Sequence, residues 1–236
     1  MIEAVLWDND GVLVDTERLY FRATRETLAL AGAELTREHF IEYIMRRGQS
    51  VWEGLLPHLD AAEIVRWRRI RDDAYSELLR AEACVIPGAL ETVRAMHGKH
   101  RMAIVTSSHR EHFELAHRTS GLPALFEAIL TREDYKESKP HPEPYLTALA
   151  RLGVRADRSI AIEDSERGLI AARAAGLRCI VIPHELTEGG NFIEAAAKLA
   201  SIAEVPATLA HLETLAHQLL EGHATIKGQS SGAPKK

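Results

Sequence analysis

Short apolar runs alternate along this chain with longer stretches of helical spacing. The first run, Ile2 to Trp7, ends at Asp8, Asp10 and Gly11. Similar runs follow at Arg101–Thr106, Ser159–Ile162 and Arg178–Ile182. Each is brief, rich in Val and Ile, and bounded by polar or turn residues, the pattern of a strand buried on both faces. Between them, Gly88–His97, Arg110–Thr119, Pro142–Leu152 and Glu166–Ala175 read as helices, the last stopped by Gly176. Strand and helix in alternation predict an α/β fold, a doubly wound parallel sheet with helices on both faces.

From Glu17 to Ala83 the alternation stops. Leu19, Ala23, Leu28 and Leu30, then Ile64, Trp67, Ile70 and Leu78, keep helical spacing with no buried-strand run between them. The simplest organisation is a catalytic core of residues 1–16 and 84–227 carrying a small all-helical domain, residues 17–83, inserted after the first strand. Such an insert covers the carboxyl ends of the strands, where open α/β sheets bind ligands. The polar segment Gly228–Lys236 has no hydrophobic anchor and reads as a disordered tail.

Composition narrows the partners. The chain has 236 residues, 46% of them hydrophobic, enough for one core with a smaller companion. A net charge of −5 gives no basic footprint for nucleic acid or an acidic membrane surface. No apolar stretch approaches the roughly 20 residues of a membrane span, and the apolar start is too short for a signal peptide. Cys84 and Cys179 fit neither a disulfide framework nor a zinc motif, so a reduced cytoplasm is the expected setting. Oligomeric state is not legible here, and a monomer is compatible with every feature.

The candidate chemistry sits at the strand ends. Asp8 and Asp10, two apart on an extended segment, point the same way, while Asn9 points elsewhere. Two carboxylates so close repel unless a cation or a proton intervenes; a capping or turn pair is the competing account. Glu163 and Asp164 end another strand, and parallel strands bring these ends together. Four acids there form a hard oxygen site suited to Mg²⁺. Thr106, Ser107 and Ser108 offer hydroxyls and free backbone N–H groups before a helix, a cradle for phosphate. Lys139, stiffened by Pro140 and Pro142, adds a cation. Taken singly, Thr106 reads as a helix cap and Lys139 as a solvated lysine; their order and placement raise both.

The run Asp8-Asn9-Asp10-Gly11-Val12-Leu13-Val14-Asp15-Thr16-Glu17 resembles the first motif of the haloacid dehalogenase superfamily of phosphatases and phosphomutases. Thr106 matches its second motif, Lys139 in SKPHPEPY its third, and Glu163-Asp164 in IEDSERGLIAARAAGL its fourth. The helical insert is similar to the cap of the beta-phosphoglucomutase-like subgroup. The resemblance implies that Asp8 is the nucleophile and Asp10 the general acid/base. It also implies that Asp8, the carbonyl of Asp10 and Asp164 hold Mg²⁺ with help from Glu163, and that Thr106 and Lys139 bind the transferring phosphoryl group. The substrate is then a small phosphorylated metabolite.

Within that family, Asp10 argues against dehalogenation, and a cap without lysine between Glu17 and Ala83 excludes the Schiff-base chemistry of phosphonoacetaldehyde hydrolases. A phosphomutase of the beta-phosphoglucomutase type is the alternative to a phosphatase. Tyr20 stands where that mutase has histidine and Val51 where it has arginine, which favours the phosphatase. Arg46 or Arg47 beside Gly48 is the cap cation a mutase needs, with a solvated helix end as the competing account. Arg47 and His109 are candidate substrate contacts alongside Thr106, Ser107 and Lys139, with the start of a helix as the competing account of His109. The remaining histidines, His112 and His117 among them, read as surface or core residues, and Trp52 and Trp67 as packing. A non-catalytic binding protein on the same scaffold would lack one of Asp8, Asp10, Lys139 or Asp164, and none is missing.

Overall fold

The structure, a computed structural model, describes residues 1–215 and Gln218. The expected tail at Gly228–Lys236 and the last residues of the core, to 227, lie outside the described residues. Six parallel strands form one sheet in the order β3-β2-β1-β4-β5-β6. They are β1 (Ala4–Trp7), β2 (Arg101–Val105), β3 (Ala128–Leu130), β4 (Ser159–Glu163), β5 (Arg178–Val181) and β6 (Ala197–Lys198). The four apolar runs are the four inner and adjoining strands. The edge strands β3 and β6 have three and two residues, too short for an apolar pattern to show.

Period-2 alternation divides each strand between two cores. Val5 and Trp7 share one face with Ile104, Ile160, Ile162 and Ile180, under α5 (Ala89–Met96), Phe113 of α6 (Arg110–Ala116) and the helical residues Val205 and Leu209. Ala4 and Leu6 share the other with Ala103, Val105, Ala161 and Val181, under α7 (Glu143–Leu152) and α8 (Glu166–Ala174). Each large side chain so buried stabilises the fold by about 1.5–3 kcal/mol before entropy is counted. In register, Trp7 pairs with both Ile104 and Ile162. The residues that follow, Asp8, Val105 and Glu163, therefore emerge side by side, with Thr106 one position beyond.

The segment after β1 is helical, as its spacing predicts. It comprises α1 (Glu17–Leu30), α2 (Arg37–Phe40), a π-helical stretch Ile41–Arg46, α3 (Val51–Leu55) and α4 (Ala61–Glu82). A reciprocal capping box between Asp60 and Glu63 starts α4. Leu19 and Ala23 of α1 pack on Tyr75 and Leu79 of α4, while Leu28, Phe40, Trp52 and Ile64 build a separate cap core. The two crossings between core and cap are tied together: Asp15 N donates to Cys84 O at 3.0 Å and Ile86 N to Leu13 O at 3.0 Å. This is an α/β core with a helical cap over its strand ends.

Candidate active site

Lys139 holds the centre of the site. Its Nζ donates to Asp8 Oδ1 at 2.7 Å, Glu163 Oε1 at 2.7 Å and Val105 O at 2.8 Å. Burial alone would depress the ammonium, but Asp8 and Glu163 beside it overcome this and raise its pKa above the ordinary lysine value. Tyr145 of α7 lies under the cation, 5.0 Å from Nζ to the ring centroid, and its hydroxyl donates to Glu163 Oε1. Burial pushes the Asp8 carboxyl well above the usual range against the pull of Lys139, and Glu163, Asp164 and Asp10 push the same way. Glu163 is raised by burial as well.

Asp10 is turned away from this cluster. The Asn9 carbonyl accepts from the N–H groups of Val12, Leu13 and Val14, closing the tight turn that carries Asp10 and Gly11. Thr16 Oγ1 donates to Asp10 Oδ1 at 2.5 Å; Thr106 Oγ1 and Ser108 Oγ donate to Oδ2 at 2.8 and 2.9 Å. Thr106 also accepts from Ser108 N at 3.0 Å. Three hydroxyls from two strand-end loops thus fix the orientation of one carboxylate. Asn9 points into the core, where its amide oxygen meets His117 Nε2 at 2.7 Å.

The expectation of four carboxylates at one point is therefore corrected to three. Asp8, Glu163 and Asp164 each offer an oxygen within 4.8 Å of the others. The carboxylate of Asp10 is taken by hydroxyls, which leaves its backbone carbonyl as the group it can offer a metal. The three acids fit Mg²⁺: they are buried hard oxygen donors, and Glu163 Oε2 has no hydrogen-bond partner. Asp164 also meets a cation that the sequence did not single out. His184 Nε2 lies 3.0 Å from Asp164 Oδ2 and is ion-paired with Glu17. Against burial, those two acids raise His184 to about 10, while burial and Asp164 raise Glu17 to about 8.

Above the acids, a cavity of about 550 Å³ opens between core and cap. Asp8, Asp10, Ser107, His109, Lys139, Glu163 and Asp164 all line it. The hydroxyl of Thr106 lies beneath the floor, wholly buried against Asp10. His109 is present at the rim with its ring nitrogen Nδ1 held by Glu133 at 2.7 Å. Arg47 is not: its guanidinium is 2.7 Å from Glu42 on the outside of the cap, with the side chain 54% exposed. Arg46 does not line the cavity either; it bonds across to Gly189 O of the core at 2.8 Å.

The cap supplies its cations from α4 instead. Arg68 and Arg71 line the cavity, and Arg71 lies over the Tyr20 ring, 4.6 Å to its centroid, donating to the Tyr20 hydroxyl. His112, read as surface or core, also lines it and packs on Tyr75 at 4.9 Å. Trp52 combines packing on Trp67, 6.4 Å between centroids, with a place in the wall. The spacing of Arg68 and Arg71 three apart on one helix face was the available signal for them. Thr16 and His184 carried none.

The haloacid dehalogenase-like hydrolase family matches residues 5–182. The chain is 35% identical to Protein CbbY of Cereibacter sphaeroides, over 87% of this chain and 94% of that one. It is 34% identical to the phosphorylated carbohydrates phosphatase of Thermotoga maritima, over 83% and 92%. Among solved structures it is similar to a D10N mutant of CbbY from Rhodobacter sphaeroides in complex with xylulose-(1,5)bisphosphate, with 31% identity, TM-score 0.71 and coverage of 86% and 96%. The motifs, the sheet order and the helical cap agree with these likenesses: the chain belongs to the haloacid dehalogenase-like hydrolase family, in its beta-phosphoglucomutase-like subgroup.

Proposed function

We propose that this chain is a Mg²⁺-dependent phosphohydrolase of a phosphorylated carbohydrate or related small metabolite, working through an aspartyl phosphate on Asp8. The carrying observation is the contact of Lys139 with both Asp8 and Glu163 at the floor of a cap-covered cavity. Phosphoryl transfer depends chiefly on positioning and on neutralising charge. Asp8, Asp164, the Asp10 carbonyl and Glu163 would hold Mg²⁺, which would supply positive charge to the phosphoryl oxygens.

The chain's own residues do the rest. Asp8 attacks phosphorus in line as the bond to the leaving oxygen breaks, and Asp10 gives that oxygen its proton. Asp10 then takes a proton from water, whose oxygen bonds to phosphorus as the Asp8–phosphorus bond breaks. Inorganic phosphate leaves and Asp8 is restored. Lys139 holds Asp8 in place and neutralises the phosphoryl group with Ser107, while the hydroxyls of Thr106, Thr16 and Ser108 orient Asp10. The helices of residues 17–83 act as the closing cap, and the cytoplasm is the working compartment.

Names of relatives point to carbohydrate phosphates, and the Arg68–Arg71 face of the cavity suits a polar, anionic substrate. The same two arginines are cap cations of the kind a phosphomutase needs, which keeps that reading as the alternative. A panel of sugar phosphates with Mg²⁺ decides between them. Release of inorganic phosphate supports the hydrolase. Isomer interconversion outpacing release supports the mutase. Turnover that survives both Asp8→Asn and EDTA refutes the shared mechanism.

A further inference from the structure

Arg167, in the first turn of α8, lies between the core and the cap. Its Nη2 donates to the Lys139 carbonyl at 2.6 Å and its Nη1 to the Ile44 carbonyl at 2.8 Å. No carboxylate pairs with it among the described residues, and its Nε is buried with no partner. Placing a guanidinium there is expensive; two backbone carbonyls are poor compensation unless joining them is its use. Each carbonyl belongs to a different body. Lys139 carries the cation under the phosphoryl site. Ile44 belongs to the π-helical stretch of the cap, whose end spends its backbone donors elsewhere: Arg47 N goes to Glu42 O and Gln49 N to Tyr43 O. Ile44 O is thus met by the side chain of the core.

The next cap residues are shaped around this contact. Gly48 has φ +61°, and a Cβ there would lie 2.8 Å from both Cζ and Nε of Arg167. A side chain at 48 would have to displace the guanidinium. Gly48, Gln49, Ser50 and Val51 form one wall of the cavity, with Arg167 and Lys139 beside them.

We propose that Arg167 is a positioning residue that braces the cap wall Gly48–Val51 against the main chain of Lys139, fixing the distance between the phosphoryl end of the cavity and the wall that holds the rest of the substrate. Arginine suits this because its planar fork reaches two acceptors at once, whereas lysine reaches one. The kinetic consequence rests on the phosphohydrolase reading; the mechanical one does not.

Hydrogen–deuterium exchange on the whole chain, comparing the native protein with Arg167→Met, reads the brace directly. Exchange over 46–51 is expected to rise by about tenfold or more, the factor carried by a charged hydrogen bond, with β1, β2 and β4 unchanged. For the sugar phosphate that the native chain hydrolyses fastest, KM is expected to rise by about tenfold with kcat changed less. Gly48→Ala is expected to reproduce that KM, and the double variant to be no worse than either single one, since both remove one contact. Arg167→Lys recovers part of the loss and replaces Arg167→Met if the latter fails to fold. Unchanged exchange over 46–51, or additive losses in the double variant, overturns the proposal. A native chain that hydrolyses no phosphate offered counts against the phosphohydrolase reading, and the exchange comparison then decides the brace alone.

Discussion

Lys139 and Asp8 are 131 positions apart in the chain and 2.7 Å apart in the fold. Nothing local brings them together. β1 and β2 pair in parallel and in register, which places Asp8 beside the end of β2, and the Val105 carbonyl there takes the third bond of the same ammonium. A lysine that satisfies two carboxylates and one carbonyl has used all three of its donors.

Lys139→Met leaves Asp8 and Glu163 buried without their cation. Removing one partner of a buried charge pair costs about 3–5 kcal/mol, and hydrolysis is expected to fall about 10²-fold or more. Burial already raises both acids above their unfolded values. The folded variant therefore binds protons more readily than the unfolded chain, and its deficit shrinks as pH falls. Urea unfolding at pH 7 and pH 5, with and without Mg²⁺, checks this. The deficit should be largest at pH 7 without metal.

His117 gives a pH dependence of the opposite sign. Burial lowers its pKa from 6.5 to about 4, so between these values the unfolded chain binds the proton first. Stability is full above pH 6.5 and is lost as pH falls, by about 2 kcal/mol from this group between pH 7.5 and 5. His117→Gln keeps a hydrogen-bonding group toward Asn9 and should flatten the urea-derived stability profile by that amount. An unchanged profile would contradict the assignment.

Gly168 is required by Glu163. A Cβ at 168 would lie 1.9 Å from the Glu163 Cδ and Oε2. Gly168→Ala would ordinarily favour a helix, but here it is expected to destabilise by about 1–3 kcal/mol through overpacking. It should also weaken Mg²⁺ binding in titration calorimetry, because the displaced carboxylate belongs to the acid cluster. Tighter binding or raised stability would be the contrary result.

Thr16 is wholly buried and orients Asp10. Thr16→Val keeps its shape and deletes the donor, so kcat is expected to drop about tenfold, the worth of a hydrogen bond to a charged group, with Mg²⁺ affinity unchanged. Steady-state kinetics at varied Mg²⁺ separates the two quantities.

These residues show what the sequence made legible. Asp8, Glu163 and Asp164 directly follow or end Val- and Ile-rich strands, so the local pattern located their elements and parallel pairing located their meeting point. The hydroxyls that draw Asp10 aside come instead from tertiary packing. Ala128–Leu130 and Ala197–Lys198 escaped because strands of three and two residues are specified by the neighbour they pair with. Arg71 reaches Tyr20 across 51 positions and His184 reaches Asp164 across 20; such contacts come from tertiary packing that no periodicity records. Arg47 was the reverse case. Its place beside Gly48 suits a cap cation facing the substrate, but Glu42 five residues earlier holds it outside. The acids are written locally, whereas the cap wall is written in the fold.

Rapid-quench labelling with a substrate carrying radioactive phosphorus, followed by peptide mapping, tests the covalent role of Asp8 most directly. The label should appear transiently on the peptide that contains Asp8, in the presence of Mg²⁺, and vanish in Asp8→Asn together with turnover. Turnover by the native chain with no label on that peptide would contradict it.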